Sequence, residues 1–462
     1  MTANVINVST LVDDRRVTGY NIKVLAWCFF VMLCDGFDLG VLSFAAPSIL
    51  REWGITDRTA MGSVFSASIM GILFGSLLFG YIGDKFGRRN AIVAALATIG
   101  LASLAVSAAD TLGHLFWLRF ITGLGLGGLF PNVAALGAEF APKKYRATLL
   151  ILGLIGVTVG VAIPGMLAGY MVPTYGWRSL FIIGGVGPLV MAVICMIGLP
   201  ESPLYLALRP KRRDELVKLI GRLRPDLSVS PSATFTLNEE RRAPGISPRY
   251  LFSDGLGPIT ILLWICFATN LMGYYFLISW LPTLLQGAAL TPGDANFTTI
   301  LLQLGGVTGG VLLCRPMDRI GVLPIAFLFV VATLTVGAIG SIGGGANLWI
   351  LQTVVFFAGF SVLSLQFGLD AFAAIIYQTS IRAVGAGWAF LIGRIGSVMG
   401  PIIGGMMIAR KVPMDQLFYF AAVPLAIGTV SAFALLVLYT RRSGGYSMYA
   451  GSRAAEPAGT AV

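Results

Sequence analysis

Two carboxylates stand inside a long apolar stretch near the start of the chain, in the sequence Asp35-Gly36-Phe37-Asp38. A spacing of three residues places both on one face of a helix. Anions this close repel each other, and loss of water adds to the cost of keeping both ionised. We therefore predict that one of Asp35 and Asp38 binds and releases protons, and that Arg119 takes part in this coupling as the partner of the aspartates. The alternative is a fixed structural pair of an aspartate with Arg119 or another cation.

Two arginines also lie inside apolar stretches, Arg119 and Arg394. Ionisable groups in a membrane span are costly unless paired or hydrated, so each is a candidate functional group. A guanidinium can hold a carboxylate through two parallel hydrogen bonds. Arg394 is therefore the predicted anchor for a substrate carboxylate, the alternative being a salt bridge that fixes its helix. Asp370 is a further intramembrane acid to which the sequence assigns no partner.

Amide and aromatic side chains complete the predicted substrate site, because buried amides need hydrogen-bond partners and aromatic faces suit a flat ligand. These candidates are Gln366, Gln303, Tyr274, Asn270, Trp264 and Asn132. For each aromatic side chain, the alternative is ordinary packing or anchoring at the membrane interface.

The composition shows what kind of protein must position these groups. Of 462 residues, 56% are hydrophobic and only 11% are charged, against about 25% charged in soluble domains. A soluble enzyme, a nucleic-acid binder and a disordered chain are excluded, which leaves a polytopic membrane protein. Five cysteines without a CxxC pair and a single histidine predict neither disulfides nor a metal site. Without a phosphate-binding GxxxxGK[ST] loop, the chain is not expected to carry its own ATPase. No nucleophile–base or metal constellation predicts a catalytic site or a cofactor, and the proton bound by the aspartates is the predicted coupling ion.

Twelve apolar runs are long enough to cross a bilayer as helices. They lie at 22–46, 61–83, 90–109, 114–138, 148–171, 179–199, 258–284, 297–314, 322–342, 347–376, 384–409 and 416–439. The alternation typical of a membrane β-barrel is absent, so the fold class is all-α. The lipid bilayer is thus the predicted surrounding of the chain.

Positive charge gives the orientation. The odd-to-even connections carry only Arg51, Arg58, Arg178, Arg410 and Lys411. The other loops and both termini carry most remaining cations, so both termini are predicted to be cytoplasmic. The expected organisation is a tail at 1–21, a six-helix half at 22–199, a cytoplasmic linker at 200–257, a second half at 258–440 and a tail at 441–462.

The two halves repeat each other. Gly71, Gly75, Asp84, Lys85 and Gly87 recur as Gly305, Gly309, Asp318, Arg319 and Gly321, always 234 residues later. Internal repeats of this kind are typical of secondary transporters, whose substrate site lies near the midplane. The charged groups at cytoplasmic turns are predicted to latch the inner side shut. They are Asp84, Arg88, Glu139, Arg146, Asp318 and Arg319.

The chain resembles the major facilitator superfamily. The carrying motifs are Gly80-Tyr-Ile-Gly-Asp84-Lys-Phe-Gly87-Arg88-Arg89, Leu118-Arg119-Phe120-Ile121-Thr122-Gly123 and Pro200-Glu201-Ser202-Pro203. More narrowly it resembles the aromatic acid:proton symporters, through Asp35-Gly36-Phe37-Asp38, Gly123-Leu-Gly-Leu-Gly127 with Pro131-Asn132, Tyr175-Gly176-Trp177, Ser279-Trp280-Leu281-Pro282-Thr283 and Gly393-Arg394-Ile395-Gly396. It departs from the pattern at Tyr377-Gln378, where Tyr-Pro is usual, and at Cys314.

The resemblance implies proton-coupled uptake of an aromatic carboxylate, such as a hydroxybenzoate, protocatechuate or benzoate, by a monomer in a bacterial inner membrane. It also implies that the aspartates of the first run and both arginines matter for transport. Other readings stay open. They are a sugar or polyol symporter, a proton-driven exporter, and a receptor for aromatic acids that does not transport.

Overall fold

The computed structural model describes residues 5–8, 11–13, 17–55, 59–142, 145–224, 227, 234–236, 248–252, 255–288, 290–320, 322–342, 347–377 and 382–443. The first part of the chain forms β1 (Val5–Asn7), α1 (Gly19–Glu52), α2 (Thr59–Phe86), α3 (Arg88–Val106), α4 (Leu112–Phe140), α5 (Arg146–Tyr175) and α6 (Arg178–Gly198). Then follow α7 (Pro203–Ala207), α8 (Arg213–Leu223) and β2 (Thr234–Thr236). The last part forms α9 (Gly257–Gly287), α10 (Pro292–Ile320), α11 (Leu323–Ile342), α12 (Leu348–Ile376), α13 (Arg382–Ala409) and α14 (Met414–Ser443).

Twelve helices of the described chain, α1–α6 and α9–α14, are long and apolar enough to cross a membrane. This confirms the predicted twelve-helix class. Several helices are longer than the apolar runs that predicted them: α1 has 34 residues where the run covers 22–46. At 1.5 Å per residue, α1 is about 51 Å long, against a hydrocarbon core of about 30 Å. The helix thus continues beyond the apolar run, into residues that hydropathy does not identify as part of a span.

Contacts divide the chain into two compact units. The first joins Met1–Ala45 to Ala67–Glu240, and the second joins Ala46–Ser66 to Arg241–Val462. This differs from the expected division at the 200–257 linker, because the hairpin where α1 ends and α2 begins packs on α9 and α13. The Phe65 ring lies 5.2 Å from that of Trp280, and the Ser66 hydroxyl donates to the Val398 carbonyl at 2.8 Å.

The internal repeat has a structural counterpart within each unit. In the first, Gly71 and Gly75 of α2 lie so close to α4 that an added Cβ would overlap a backbone carbonyl oxygen. In the second, Gly305 and Gly309 of α10 meet carbonyl oxygens of α12 in the same way. Glycine lets membrane helices approach this closely. Two of the recurring glycines in each unit therefore set a helix crossing.

Gly75→Ala tests this crossing. The new Cβ would overlap the Leu124 carbonyl, so we expect a loss of about 1–3 kcal/mol, as for other overpacked sites. Gly80→Ala, also in α2, is the matched control because nothing lies within 4 Å of its Cβ position. There alanine should be neutral or stabilise the helix by up to about 1 kcal/mol. The check is the thermal unfolding midpoint in detergent. Equal midpoints for the two variants would contradict the assignment.

The part of the linker around α8 belongs to the first unit. Its hydrophobic residues recur with a helical period, and α8 buries one face through Leu216, Leu219, Ile220 and Leu223. On its exposed side, the Arg212 guanidinium donates hydrogen bonds to Glu215 and holds the pKa of that carboxyl below its ordinary value. β1 pairs in parallel with β2. The all-α class omits this sheet, because strands of three residues carry too short a pattern for periodicity to reveal.

Candidate functional site

A buried ion pair joins α1 to α4 in the first unit. Asp38 Oδ2 lies 2.8 Å from Arg119 Nη1, and the two side chains are 0% and 1% exposed. The Ser103 hydroxyl donates to Asp38 Oδ1 at 2.6 Å. Arg119 also donates to the Asp38 backbone oxygen at 2.9 Å and to the Ser68 hydroxyl at 3.0 Å. The two charges are thus paired with each other inside the protein.

Asp35 lies one turn before Asp38 and is buried as well. Gly36, between them, lets α5 approach so closely that a Cβ would overlap the Val157 carbonyl. Close packing keeps this part of α1 away from water. The pairing of Asp38 with Arg119 is the geometry of the structural alternative, although it does not by itself assign a role in coupling.

Ser68 and Ser103 complete this ion pair, and sequence reasoning did not single them out. A hydroxyl in a membrane helix usually donates to a carbonyl of its own preceding turn, as Thr122 does to Leu118 at 2.8 Å. Such residues are therefore common in spans and carry little signal. Only the crossing of α2, α3 and α4 over α1 distinguishes these two.

The second unit holds a separate polar cluster. Arg394 Nη1 donates to the Tyr275 hydroxyl at 2.9 Å. Asn270 Nδ2 donates to Gln366 Oε1 at 3.3 Å, and Gln366 Nε2 donates to Asp370 Oδ1 at 2.8 Å. The Arg394 guanidinium also interacts electrostatically with the Asp370 carboxyl group. Asp370 thus joins predicted site residues, and the i, i+4 spacing from Gln366 was the available signal.

The two intramembrane arginines differ in their burial and in their bonding partners. Arg119 is completely buried and paired with a carboxylate. Arg394 is half-buried. It donates a hydrogen bond to a neutral phenol, and no described carboxylate forms an ion pair with it. Of the two, Arg394 therefore keeps the capacity to bind an anionic ligand.

Three other residues predicted to bind substrate lie on α9 and α10 of the same unit. Gln303 is 1% exposed, and neither its amide nitrogen nor its oxygen has a hydrogen-bond partner among the described residues. Trp264 lies nearer the start of α9, with its ring 6.1 Å from that of Trp388. The Tyr274 ring lies 5.2 Å from that of Tyr275. Gln303 and the indole N–H of Trp264 thus both lack a hydrogen-bond partner among the described residues, and the ring of Tyr274 packs against that of Tyr275.

Asn132 lies elsewhere, and its amide is already used. Its Nδ2 donates to the carbonyls of Phe79 at 3.1 Å and Gly128 at 2.8 Å, and its Oδ1 accepts from Arg88 at 3.1 Å. The structure therefore places Asn132 in the network at the α2–α3 turn, with both ends of its amide hydrogen-bonded. Burial and residue type alone could not separate these two roles.

That turn carries the predicted latch. Arg88 pairs with Asp84 at 2.5 Å. Glu139, at the end of α4, accepts from the Ser202 hydroxyl at 2.5 Å. The side chains of Arg146, Asp318 and Arg319, the other predicted latch residues, lie outside the described part of the chain, so their contacts stay predictions.

Glu201 is a member of this network that sequence reasoning used only as a family motif. Its Oε1 accepts from the backbone N–H groups of Arg89 at 3.1 Å and Ser202 at 2.9 Å. The carboxylate therefore occupies the start of α3, where it favours the helix dipole. Gly87 has φ +102°, and a Cβ there would overlap Glu201. This explains why the turn needs glycine.

Comparison with known proteins agrees with this architecture. The family model described as Major Facilitator Superfamily matches residues 28–334. The chain is 34% identical to the "4-hydroxybenzoate transporter PcaK" of Pseudomonas putida over 92% of this chain and 94% of that protein. It is 31% identical to the "Gallate transporter" of Pseudomonas putida over 93% and 95%.

Among solved structures, an inward-facing bacterial homologue of the human lysosomal transporter Spinster superposes with a TM-score of 0.68. The match covers 91% of this chain and 98% of that one at 16% identity, which supports the fold alone. The chain is a multi-pass membrane transporter and not an enzyme, and it belongs to the Major Facilitator Superfamily, on its branch of aromatic acid permeases.

Proposed function

We propose that this protein imports an aromatic carboxylate, such as a hydroxybenzoate, protocatechuate or benzoate, together with protons. The proposed setting is a bacterial inner membrane, with both termini in the cytoplasm and a monomer that works by alternating access. Relatives named for 4-hydroxybenzoate and gallate support the class of substrate.

The observation that carries the proposal is the state of Arg394. A guanidinium inside a membrane span is costly unless it is paired or hydrated, and Arg394 donates its hydrogen bond to the neutral Tyr275 hydroxyl. An aromatic carboxylate would give Arg394 an ion-pair partner and can accept two parallel hydrogen bonds from the guanidinium. Tyr275 fixes the side chain, which reduces the entropy lost when the ligand binds.

The proposed coupling site is the pair of Asp38 and Arg119. Proton binding to Asp38 would cancel the charge that holds Arg119 Nη1, while the bonds to the Asp38 backbone and to Ser68 would remain. The crossing of α1 and α4 would then lose its strongest contact without losing its register. Asp35, buried one turn away, is the second carboxylate proposed to take part.

The proposed latch is the network around the α2–α3 turn. Arg88, at the start of α3, ties that helix to α2 through Asp84 and to α4 through Asn132. Glu201 ties the start of α3 to the segment after α6. These contacts fix the cytoplasmic ends of four helices relative to one another. Their role is conformational, so their loss should change the transport rate more than substrate selectivity.

A competition assay tests the substrate class. Purified protein in liposomes is given labelled 4-hydroxybenzoate with an excess of unlabelled benzoate, protocatechuate, xylose or inositol. We expect both aromatic carboxylates to reduce uptake and neither neutral compound to do so. Competition by the sugar or the polyol but not by benzoates would overturn the proposal.

A further inference from the structure

The polar cluster of the second unit contains a hydrogen-bond chain with a single direction. Asn270 donates to Gln366, and Gln366 donates to Asp370. In this arrangement Gln366 turns its NH₂ group toward Asp370, whose Oδ1 accepts the hydrogen bond. Its amide oxygen then faces Asn270, so Asn270 donates through its own NH₂ group. The carboxylate at one end therefore fixes the orientation of both amides.

This direction leaves one acceptor without a donor. Asn270 is 0% exposed, and its Oδ1 is buried without a hydrogen-bond partner among the described residues. Leaving a buried polar atom unsatisfied is expensive, and such atoms in a native structure call for an explanation. A ligand that brings an O–H or N–H donor would satisfy the atom. A ligand with only acceptors would not.

The chain lies at the level of the proposed carboxylate anchor. Where α13 crosses α9, a Cβ on Gly396 would overlap the Ala268 carbonyl, and one on Gly393 would press on Leu271. Arg394 therefore sits on α13 beside the turn of α9 that carries Asn270. The Arg394 guanidinium also interacts electrostatically with Asp370, the carboxyl group at the end of this chain. The anchor and the unpartnered acceptor thus belong to one site within one unit.

We propose that Asn270 Oδ1 accepts a hydrogen bond from a ring hydroxyl of the substrate, so that the transporter selects hydroxylated aromatic carboxylates over unsubstituted or methoxylated ones. In this proposal Asp370 is a positioning residue that acts through Gln366. The inference rests on the proposed function and specifies its substrate class. It gives Asp370 a role in substrate recognition that does not depend on an ion pair.

The wild-type protein gives the first test. Proteoliposome uptake should show a KM for 4-hydroxybenzoate about tenfold lower than that for benzoate or 4-methoxybenzoate, since a site built around a hydroxyl rejects analogues that lack it. The methyl ether keeps the ring and the carboxylate but cannot donate. Uptake of all three with equal KM would overturn the inference while the proposed function stands. Uptake of none of the three compounds would contradict both the inference and the proposed function.

Variants then identify the residue that causes the preference for the hydroxylated substrate. Asn270→Leu removes the acceptor and should bring the three KM values within about twofold of one another. Asn296→Leu is the matched control, because Asn296 lies in the same unit and also has a buried oxygen without a partner, but it is not part of the chain. It should keep the tenfold preference. Loss of the preference in the control alone would place the acceptor elsewhere.

Asp370 provides a readout that does not depend on the Asn270 variant folding. Asp370→Asn offers Gln366 both a donor and an acceptor, so the chain can reverse and the preference for the hydroxyl should fall several-fold. Asp370→Glu keeps an acceptor-only group and should restore it. A purely structural role would lower Vmax for every substrate and leave the KM ratios unchanged, and that result would contradict the positioning role.

Discussion

Replacing Arg394 by glutamine should raise the KM for an aromatic carboxylate at least about 100-fold. Charge-assisted hydrogen bonds contribute about 1.5–3 kcal/mol each, and glutamine cannot neutralise the anion. Arg394→Lys keeps the charge but loses the planar fork, so we expect an intermediate KM, about tenfold above that of the wild type. The measurement is initial-rate uptake in liposomes containing equal amounts of folded transporter.

The control for this prediction is Arg410→Gln. Arg410 follows the end of α13 and is exposed, so its replacement removes the same charge beside the same helix without changing a residue of the site. Its KM should match that of the wild type. An Arg394→Gln protein with the wild-type KM would show that the carboxylate binds elsewhere, and the orientation proposed for the substrate would then be wrong.

Asp38→Asn is predicted to abolish accumulation against a concentration gradient while substrate binding persists. An amide does not take up the coupling proton, and the substitution leaves Arg119 buried without its counter-charge. Removing one partner of a buried pair typically costs about 3–5 kcal/mol. The variant should therefore be less stable as well as uncoupled. Accumulation is measured with an imposed proton gradient, and binding is measured by equilibrium titration in detergent.

A double variant separates these two effects. Asp38→Asn combined with Arg119→Gln has no unpaired charge, so much of the lost stability should return. If Asp38 carries the proton, accumulation should still be absent. Recovery of proton-driven accumulation in the double variant would mean that the pair is structural only. Asp110→Asn, at an exposed carboxylate, should accumulate substrate like the wild type.

The sequence was most informative where a residue type is rare in its surroundings. Asp38, Arg119 and Arg394 are conspicuous because ionisable groups are costly in apolar helices. The structure pairs the first two and leaves the third with a neutral hydrogen-bond partner. The spans were predictable for the same reason, since bilayer thickness fixes the length of an apolar run.

Other features depend on geometry that no local pattern contains. Asn132 and Asn270 are both buried asparagines in membrane helices, yet one has its amide fully bonded and the other has an unpartnered oxygen. Ser68 and Ser103 matter only because α2 and α3 present them to the ion pair. Glu201 acts on a helix that is distant in sequence. Helix crossings, not composition, decide these roles.

The most direct test of the central claim is uptake of labelled 4-hydroxybenzoate into proteoliposomes with and without an imposed inward proton gradient. Each pH unit stores about 1.4 kcal/mol, which supports roughly tenfold accumulation per coupled proton. We predict accumulation of this order that collapses when a protonophore is added. Uptake that only equilibrates, at the same final level with and without the gradient, would contradict proton-coupled symport.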